Sequence, residues 1–533
     1  MSNTKESVLI LGAGLMQRPS IEAAKKNGYR AVVVDANPRA LCVKEADEFA
    51  PIDLKDKEGL LAFAKKIPNL KAVFTAGTDF SASVAYVAGA LGLSGHSYEA
   101  CLNASNKVRM RSCFEKSGVA SPSFEQISAA DMSRFDGAKS ASLTFPKVVK
   151  PTDNMGARGC RMIRNPEEFL PAVKDAVENS RSGTAILEDY MNGAEFSIDS
   201  IVYNGTLTIT GFADRHIFYP PYFIETGHSM PTVVDEKTKT AIIETFARGV
   251  KALGLTAGAA KGDVKFTADG AMIGEIAARL SGGYMSGWTY PYASDVNLTE
   301  QALLIALGKE PAELLKRRVK IPVSADCPFD VYDLSCVRAS AERAWISIPG
   351  VIKEISGFEA AAAVSGVRDV LPRNKVGDTV DFPRNNVQKC GNVIAVAPTF
   401  AESQNAAHEA IRRITLRLSP NNGATDAFLR GESRSDEAGF PPIAYPKLRE
   451  KIDERGFSPS LEAGKKATDW FLRDLIDFAE EDWNHCTIRQ TLERFDSLCP
   501  NHPNIPTPLL LNAILRGGIQ GALYVSDSLA QSK

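Results

Sequence analysis

Between residues 7 and 100, short apolar runs alternate with helix-forming stretches, and that alternation leaves few architectures open. Ser7–Leu11 (SVLIL) ends in Gly12-Ala13-Gly14, and Arg18–Asn27 reads as a helix stopped by Gly28. Ala31–Asp35 (AVVVD) and Lys71–Thr75 (KAVFT) are two further buried-strand patterns. Strands separated by helices of this length imply βαβ units and a parallel sheet. Asp35 follows Gly14 by 21 residues, as the ribose-binding acid of a dinucleotide site does. That fingerprint is partial, because Gln17 stands where its third glycine belongs. The same turn serves equally as a general small-ligand or purely structural connection.

The pattern changes beyond residue 105. Asn106–Ser117 is helix-like, and Phe145–Lys150, Cys160–Ile163, Ala185–Tyr190 and Glu195–Val202 are strand-like, with a helix near Pro166–Val177. Asp235–Leu253 has the spacing of a long amphipathic helix, ended by Gly254. Ala260–Phe266 and Met272–Ile276 flank Ala268-Asp269-Gly270, a hairpin signal. A smaller α+β segment is expected over about 320–418, with a strand at Val393–Val396 and a helix over Glu402–Leu418. Residues 419–445, rich in Ser, Pro, Gly and Asn, read as a linker. The periodicity of Leu461–Phe478 predicts a helix in a final, mainly helical region. At roughly 100–200 residues per domain, 533 residues make three or four domains, an α/β and α+β multidomain chain.

A net charge of −2 offers no attraction for nucleic acid or an anionic membrane. The opening MSNTKESVLILG lacks the basic start and longer apolar stretch of a secretory signal. Nine scattered cysteines without a CxxC pair read as reduced thiols, so a cytoplasmic location is expected. His485, Cys486, Cys499 and His502 lie within 18 positions, but their spacing fits no usual zinc finger and reads as packing between helices.

Chemistry-bearing residues concentrate between positions 150 and 280. Lys150 ends a strand and precedes a loop containing Gly156, Ala157, Arg158 and Gly159. Such a loop can bring backbone N–H groups to phosphate oxygens, with the lysine as a point charge. The strand ending in Glu188-Asp189, followed by Glu195, suits hydrogen bonds to an adenine amino group and ribose hydroxyls; surface salt bridges are the plain alternative. Asp263 and Glu275, 12 apart on the two strands of the hairpin, can converge on Mg²⁺, which takes oxygen ligands. Arg279, four beyond Glu275, could stabilise an acyl phosphate or an oxyanion.

Over about residues 5–418, this order of motifs resembles the ATP-grasp superfamily, specifically its carboxylate–amine ligases, similar to L-amino-acid ligases and carbamoyl-phosphate-synthetase-like enzymes. The resemblance implies a Rossmann-like N-terminal domain over 1–105, the nucleotide-binding ATP-grasp domain over 106–320 and a C-terminal lobe over 321–418. The linker 419–445 and a helical module over 446–533 follow. It assigns Lys107, Lys150, the loop 156–159, Glu188, Asp189 and Glu195 to ATP, Asp263 and Glu275 to Mg²⁺, and Arg279 to catalysis. The segment Pro220–Pro231 is similar to that branch's loop near the acyl acceptor, with Glu225 and His228 orienting the amine or removing its proton. Asp263 stands where many members have Glu, and Ala277 where many have a metal-binding Asn.

The function implied is an ATP-dependent ligase that joins a small carboxylate to an amine through an acyl phosphate, releasing ADP and phosphate. An ATP-grasp carboxylase or carbamoyl-phosphate-type enzyme, and a nucleotide-binding regulatory protein without turnover, remain open at this point. A homodimer would be unsurprising for such a chain.

Overall fold

The computed structural model describes residues 5–131, 142–432 and 439–531. They fall into two compact units, Met1–His216 with His228–Ser340 and Pro398–Phe400, and Ile217–Gly227 with Ala341–Ala397 and Ala401–Lys533. Among the described residues no helix is long and apolar enough to cross a membrane.

The first unit opens with the expected parallel sheet, in the order β3-β2-β1-β4. Its strands are β1 (Ser7–Leu11), β2 (Arg30–Val34), β3 (Glu48–Ala50) and β4 (Leu70–Phe74), linked through α1 (Arg18–Lys26) and α2 (Lys57–Ala64). The short β3 is only half-buried and had no apolar run to betray it. β1 has β2 on one side and β4 on the other, so the turns after β1 and β4 meet at a switch point of strand order. The buried Gln17 stitches them together: its Oε1 accepts from Ala76 N at 3.0 Å and its Nε2 donates to Thr75 Oγ1 at 3.2 Å. Asp35 Oδ2 accepts the N–H of Ala13 at 2.8 Å. The acid that resembled a ribose ligand thus braces its own glycine turn.

After α3 (Ser81–Ala90) and α4 (Tyr98–Ser105), Asn106 caps α5 (Lys107–Lys116), accepting from Val108 N at 3.0 Å and Arg109 N at 3.1 Å. A small antiparallel sheet follows, ordered β5-β8-β6-β7, from β5 (Phe124–Ser128), β6 (Lys147–Pro151), β7 (Arg161–Ile163) and β8 (Thr184–Asp189). Phe169, Ala172, Val173 and Ala176 of α6 (Phe169–Glu178) pack on its Val149 and Leu187.

The larger sheet runs through β9 (Gly193–Tyr203) and β10 (Thr206–Phe218), then, beyond β11 (Ile224–Met230) and α7 (Glu236–Leu253), through β12 (Gly258–Thr267) and β13 (Gly270–Ala277). In this unit the neighbours run β13-β12-β9-β10, all antiparallel. α7 begins with Asp235 accepting from Thr238 N and ends at Gly254, whose φ of +80° is costly for any side chain. Its Ile242, Phe246 and Val250 join Ile198, Val264 and Ile276 in one core. Alternation along the strands then sends Glu195, Asp199, Lys261, Asp263 and Lys265 to the opposite face. α8 (Leu298–Ala306) and β14 (Asp330–Asp333), which pairs parallel with β10, complete the unit.

The second unit contains most of β15 (Ala339–Trp345), then β16 (Gly350–Ser356), β17 (Val367–Pro372) and β18 (Gly391–Ala397), most of α9 (Phe400–Arg413), β19 (Thr415–Leu418), α10 (Gly423–Arg430), α11 (Ile488–Leu498) and α12 (Thr507–Gln531). β17 pairs with β18 and β16 with β19, both antiparallel. Four sequence expectations change here. Glu402–Leu418 is not one helix: the chain leaves α9 at Arg413 and returns as β19. Leu461–Phe478 holds only a four-residue helix, Ala467–Trp470; Phe471 and Phe478 pack from outside it, which imitates helical spacing. The stretch 419–445 contains α10 and buries Phe428, Phe440 and Tyr445, with residues 433–438 outside the described set. The lobe and the final module share one core, in which Trp345, Ile352 and Val393 join Phe495, Leu511 and Ile514.

Gly262 of β12 has no room for a side chain: a Cβ there would lie 2.5 Å from the Phe246 ring. Gly262→Ala should therefore lower the urea-unfolding stability by about 1–3 kcal/mol, the usual range for overpacking. Because Lys261 and Asp263 flank it, the same variant should bind Mg-ATP more weakly in a calorimetric titration.

Candidate active site

The β12–β13 register sets Asp263 directly across from Glu275, and the β12–β9 register sets Lys261 across from Asp199 and Lys265 across from Glu195. A charged lattice results. Arg215 Nη1 lies 2.9 Å from Asp263 Oδ1 and also pairs with Glu195, while Lys261 Nζ pairs with Asp263. Lys265 Nζ reaches Glu195 at 3.4 Å. Lys107 Nζ donates to Asn154 O at 3.0 Å and stands 3.7 Å from Glu275 Oε2. Burial alone would raise the Glu275 carboxyl, but Lys107, Lys261, Arg279 and Lys150 outweigh it and hold it near 2. Glu275 is therefore an anion throughout the physiological range.

Lys150 and Glu188 are diagonal neighbours on β6 and β8, lying across from Ile186 and Val148 respectively, with Nζ 2.7 Å from Oε2. Arg111 Nε donates to the other oxygen of Glu188 at 2.8 Å. All three side chains are largely or fully removed from water. Burial would raise the Glu188 carboxyl, yet Arg111 and Lys150 pull it below its ordinary value; burial would lower Lys150, and Glu188 raises it. Glu188 thus fastens α5 to the β6–β8 strands. Asp189, half-exposed, pairs with Lys147 and Ser123.

The loop after β6 has three left-handed residues, Gly156 (φ +69°), Ala157 (+59°) and Gly159 (+63°). Gly159 lies so close to α6 that a Cβ would meet Asn179 Cβ at 2.8 Å. Asn154 Nδ2 anchors the loop to Asn179 O at 2.6 Å, and Arg158 Nη1 donates to Met155 O at 3.2 Å.

Arg279, 9% exposed, donates from Nη1 to Leu280 O at 3.0 Å and lies 3.7 Å from Asp79 Oδ1. The turn that follows it is tied down by Asp199, whose Oδ2 accepts from Ser281 N at 3.2 Å and Ser281 Oγ at 2.7 Å. Burial pushes Asp199 up to about 6.

Glu225 and His228 both lie on β11, a strand buried along its whole length, in place of a proline-rich surface loop. Three residues apart on a strand, they point to opposite faces. Glu225 N donates to Asn386 Oδ1 at 2.8 Å, and Lys389 Nζ donates to Glu225 O at 2.7 Å.

The first unit therefore gathers Lys107, Lys150, Glu188, Glu195, Asp263, Glu275 and Arg279. Sequence reasoning missed Arg111, Asp199, Arg215 and Lys261. Two of these had a signal: Arg111 follows Lys107 by four on one helix face, and Lys261-Gly262-Asp263-Val264-Lys265 alternates charge with small or apolar residues as a one-sided strand does. Elsewhere, Cys486 and Cys499 are buried, and both ring nitrogens of His502 face carbonyl oxygens, those of Pro503 and Lys465.

Residues 143–287 match the ATP-grasp domain model, and residues 344–419 match the L-amino acid ligase C-terminal domain 2. Residues 143–287 therefore carry an ATP-grasp domain, and the fold is one shared with an ATP-grasp ligase. The second matched domain is one described for L-amino acid ligases. In sequence it is 23% identical over 455 residues to the uncharacterized protein y4rH of Sinorhizobium fredii, covering 83% of this chain and 87% of that one. It is also 24% identical over 332 residues to carnosine synthase 1 of Gallus gallus, a match covering 57% of this chain and 36% of that protein. Among solved structures, the L-amino acid ligase of Bacillus licheniformis has a similar fold, with a TM-score of 0.65 at 19% identity over 78% of this chain and 100% of that one.

If Glu188 acts as a structural clamp, Glu188→Ala leaves two buried cations uncompensated and should cost about 3–5 kcal/mol of unfolding free energy. A direct adenine ligand would instead show weakened ATP binding with an unchanged melting temperature. Thermal unfolding and ATP titration of the same variant separate the two.

Proposed function

We propose that the protein uses Mg-ATP to convert a small carboxylate into an acyl phosphate and then transfers the acyl group to an amine, releasing ADP and phosphate. The observation that carries this reading is the pair Asp263 and Glu275, opposed on adjacent strands and encircled by Lys107, Lys261, Arg215 and Arg279. The first step drives one anion into another, so it needs fixed positive charge where the phosphates and the carboxylate meet. Lys107 and Lys150 are the residues we assign to the phosphates, and Arg279 to the carboxylate and then the acyl phosphate. The loop 156–159, anchored at Asn154, is assigned to covering the nucleotide and excluding water that would hydrolyse the intermediate.

The donor set fits Mg²⁺: two carboxylates offer hard oxygen ligands, and Asp263 Oδ1 is buried and ion-paired to Arg215 at 2.9 Å without accepting a well-aligned hydrogen bond among the described residues. Asp263 and Glu275 would hold the ion, which when bound neutralises phosphate charge. Ala277, across from Lys261, adds no ligand.

In the chemistry proposed, a carboxylate oxygen bonds to the γ-phosphorus as ADP leaves. The amine nitrogen then bonds to the acyl carbon as phosphate leaves, and the nitrogen gives up a proton. From the family resemblance, Glu225 and His228 are assigned to orienting the amine or accepting that proton.

Hydroxylamine tests this without knowledge of the natural amine, since it intercepts an acyl phosphate as a hydroxamate and phosphate. Mg-ATP, hydroxylamine and a panel of amino acids and small carboxylates should yield ADP and a hydroxamate with some acids. Glu275→Ala should reduce that turnover by about 100-fold or more, the scale of losing a principal electrostatic group. ADP release that depends on bicarbonate, with no hydroxamate, would count against an amine ligase.

A further inference from the structure

We propose that the cavity behind Arg279 receives the side chain of the acid that the enzyme activates, and that it selects short aliphatic side chains. This rests on the reading above in which Arg279 holds that acid's carboxylate.

The cavity lies wholly within the first unit, bounded by β4, α3, α8 and the segment leading into β12, and measures about 70 Å³. Arg279 lines it. Arg279 follows Glu275 by four residues, just past the end of β13, so the cavity adjoins the segment that carries the acid pair. Its Nε is buried and has no hydrogen-bond partner among the described residues.

The walls are apolar and small: Val73, Val84, Ala85, Ala88, Ala302 and Ala306. Ala85 and Ala88 are three apart on α3, and Ala302 and Ala306 are four apart on α8, so each pair presents two methyl groups from one helix face. The space exists because four positions that could carry Leu or Val carry Ala.

Two of the polar groups around it, Thr75 and His96, are already engaged. Thr75 Oγ1 donates to Leu11 O at 2.8 Å. His96 Nδ1 accepts the N–H groups of Thr256 and Ala257 at 3.1 and 3.2 Å, which requires that nitrogen to be unprotonated. His96 Nε2 then carries the proton and donates to Ala259 O at 2.9 Å. Burial pushes this imidazole down to about 4, consistent with a neutral ring. Burial likewise pushes the Cys101 thiol up to about 12. Among the described residues that line the cavity, Arg279 is the one charged group.

Size and polarity set the selection. A 150 Å³ apolar cavity accommodates benzene, so one of about half that volume takes roughly three carbons. A charged side chain would lose its water with nothing to pair with, because Arg279 is committed to the carboxylate. An aromatic ring would not fit.

The test is kcat/KM for hydroxamate formation with Mg-ATP and hydroxylamine, using glycine, L-alanine, L-valine, L-leucine, L-phenylalanine and L-glutamate. Alanine and valine should exceed phenylalanine and glutamate at least tenfold. Ala302→Val narrows the cavity and should lower the valine-to-glycine ratio tenfold or more, with glycine within threefold of the parent; one methylene is worth about 10–200-fold in such pockets. Val84→Ala widens it and should raise the leucine-to-alanine ratio about tenfold. Hydroxamate formation whose ratios stay fixed in both variants, or a parent enzyme that prefers phenylalanine or glutamate, overturns this inference while leaving the ligase intact. Absence of hydroxamate with every acid overturns the ligase reading itself.

Discussion

The register of the β12–β13 hairpin is the constraint on which the site depends. Setting Asp263 opposite Glu275 brings two carboxylates together, and a one-residue slip would send one of them to the face that packs on α7. The register is held from behind, where Val264 and Ile276 are fully buried beside Phe246 of α7 and Gly262 admits its ring. Packing on one face thus determines electrostatics on the other. The resulting acid pair is tolerable only because Lys107, Lys261, Arg215 and Arg279 surround it, and those cations are also what two negatively charged reactants require.

The supporting structure spends buried polar groups on rigidity. Glu188 joins Arg111 and Lys150, Asp199 fixes the turn after Arg279, and Gln17 ties the turn after β1 to the turn after β4. Each is removed from water and each makes at least one buried hydrogen bond, so the side chains assigned to the reactants sit on parts of the chain that do not drift. Lys150 illustrates the division: its ammonium is oriented by a carboxylate that is itself clamped by Arg111.

Much of the first unit was legible in the sequence because its signals are local. Asp235 and Gly254 mark both ends of α7, and the turn at Ala268-Asp269-Gly270 placed both metal-type acids on adjacent strands. The failures have physical causes. Asp35 had the spacing of a ribose ligand but is consumed by the backbone of its own turn, which spacing cannot reveal. β11 was hidden because prolines bracket it and it is buried on both faces through the polar run Glu-Thr-Gly-His-Ser, in which Glu225 finds partners far along the chain. Leu461–Phe478 misled in the opposite way, since aromatic residues packed from outside its short helix recur at nearly helical intervals. Arg215 was invisible because its meaning comes entirely from strand pairing, which sets it beside Glu195 and Asp263.

The central claim, that a carboxylate oxygen is transferred to phosphorus, is tested most directly by isotope. With alanine carrying ¹⁸O in its carboxylate, Mg-ATP and hydroxylamine, the phosphate released should contain one ¹⁸O per turnover, because the acyl carbon–oxygen bond breaks when the nitrogen attacks. Unlabelled phosphate accompanying ADP and hydroxamate would contradict the account, since it would mean that the carboxylate never bonded to the γ-phosphorus.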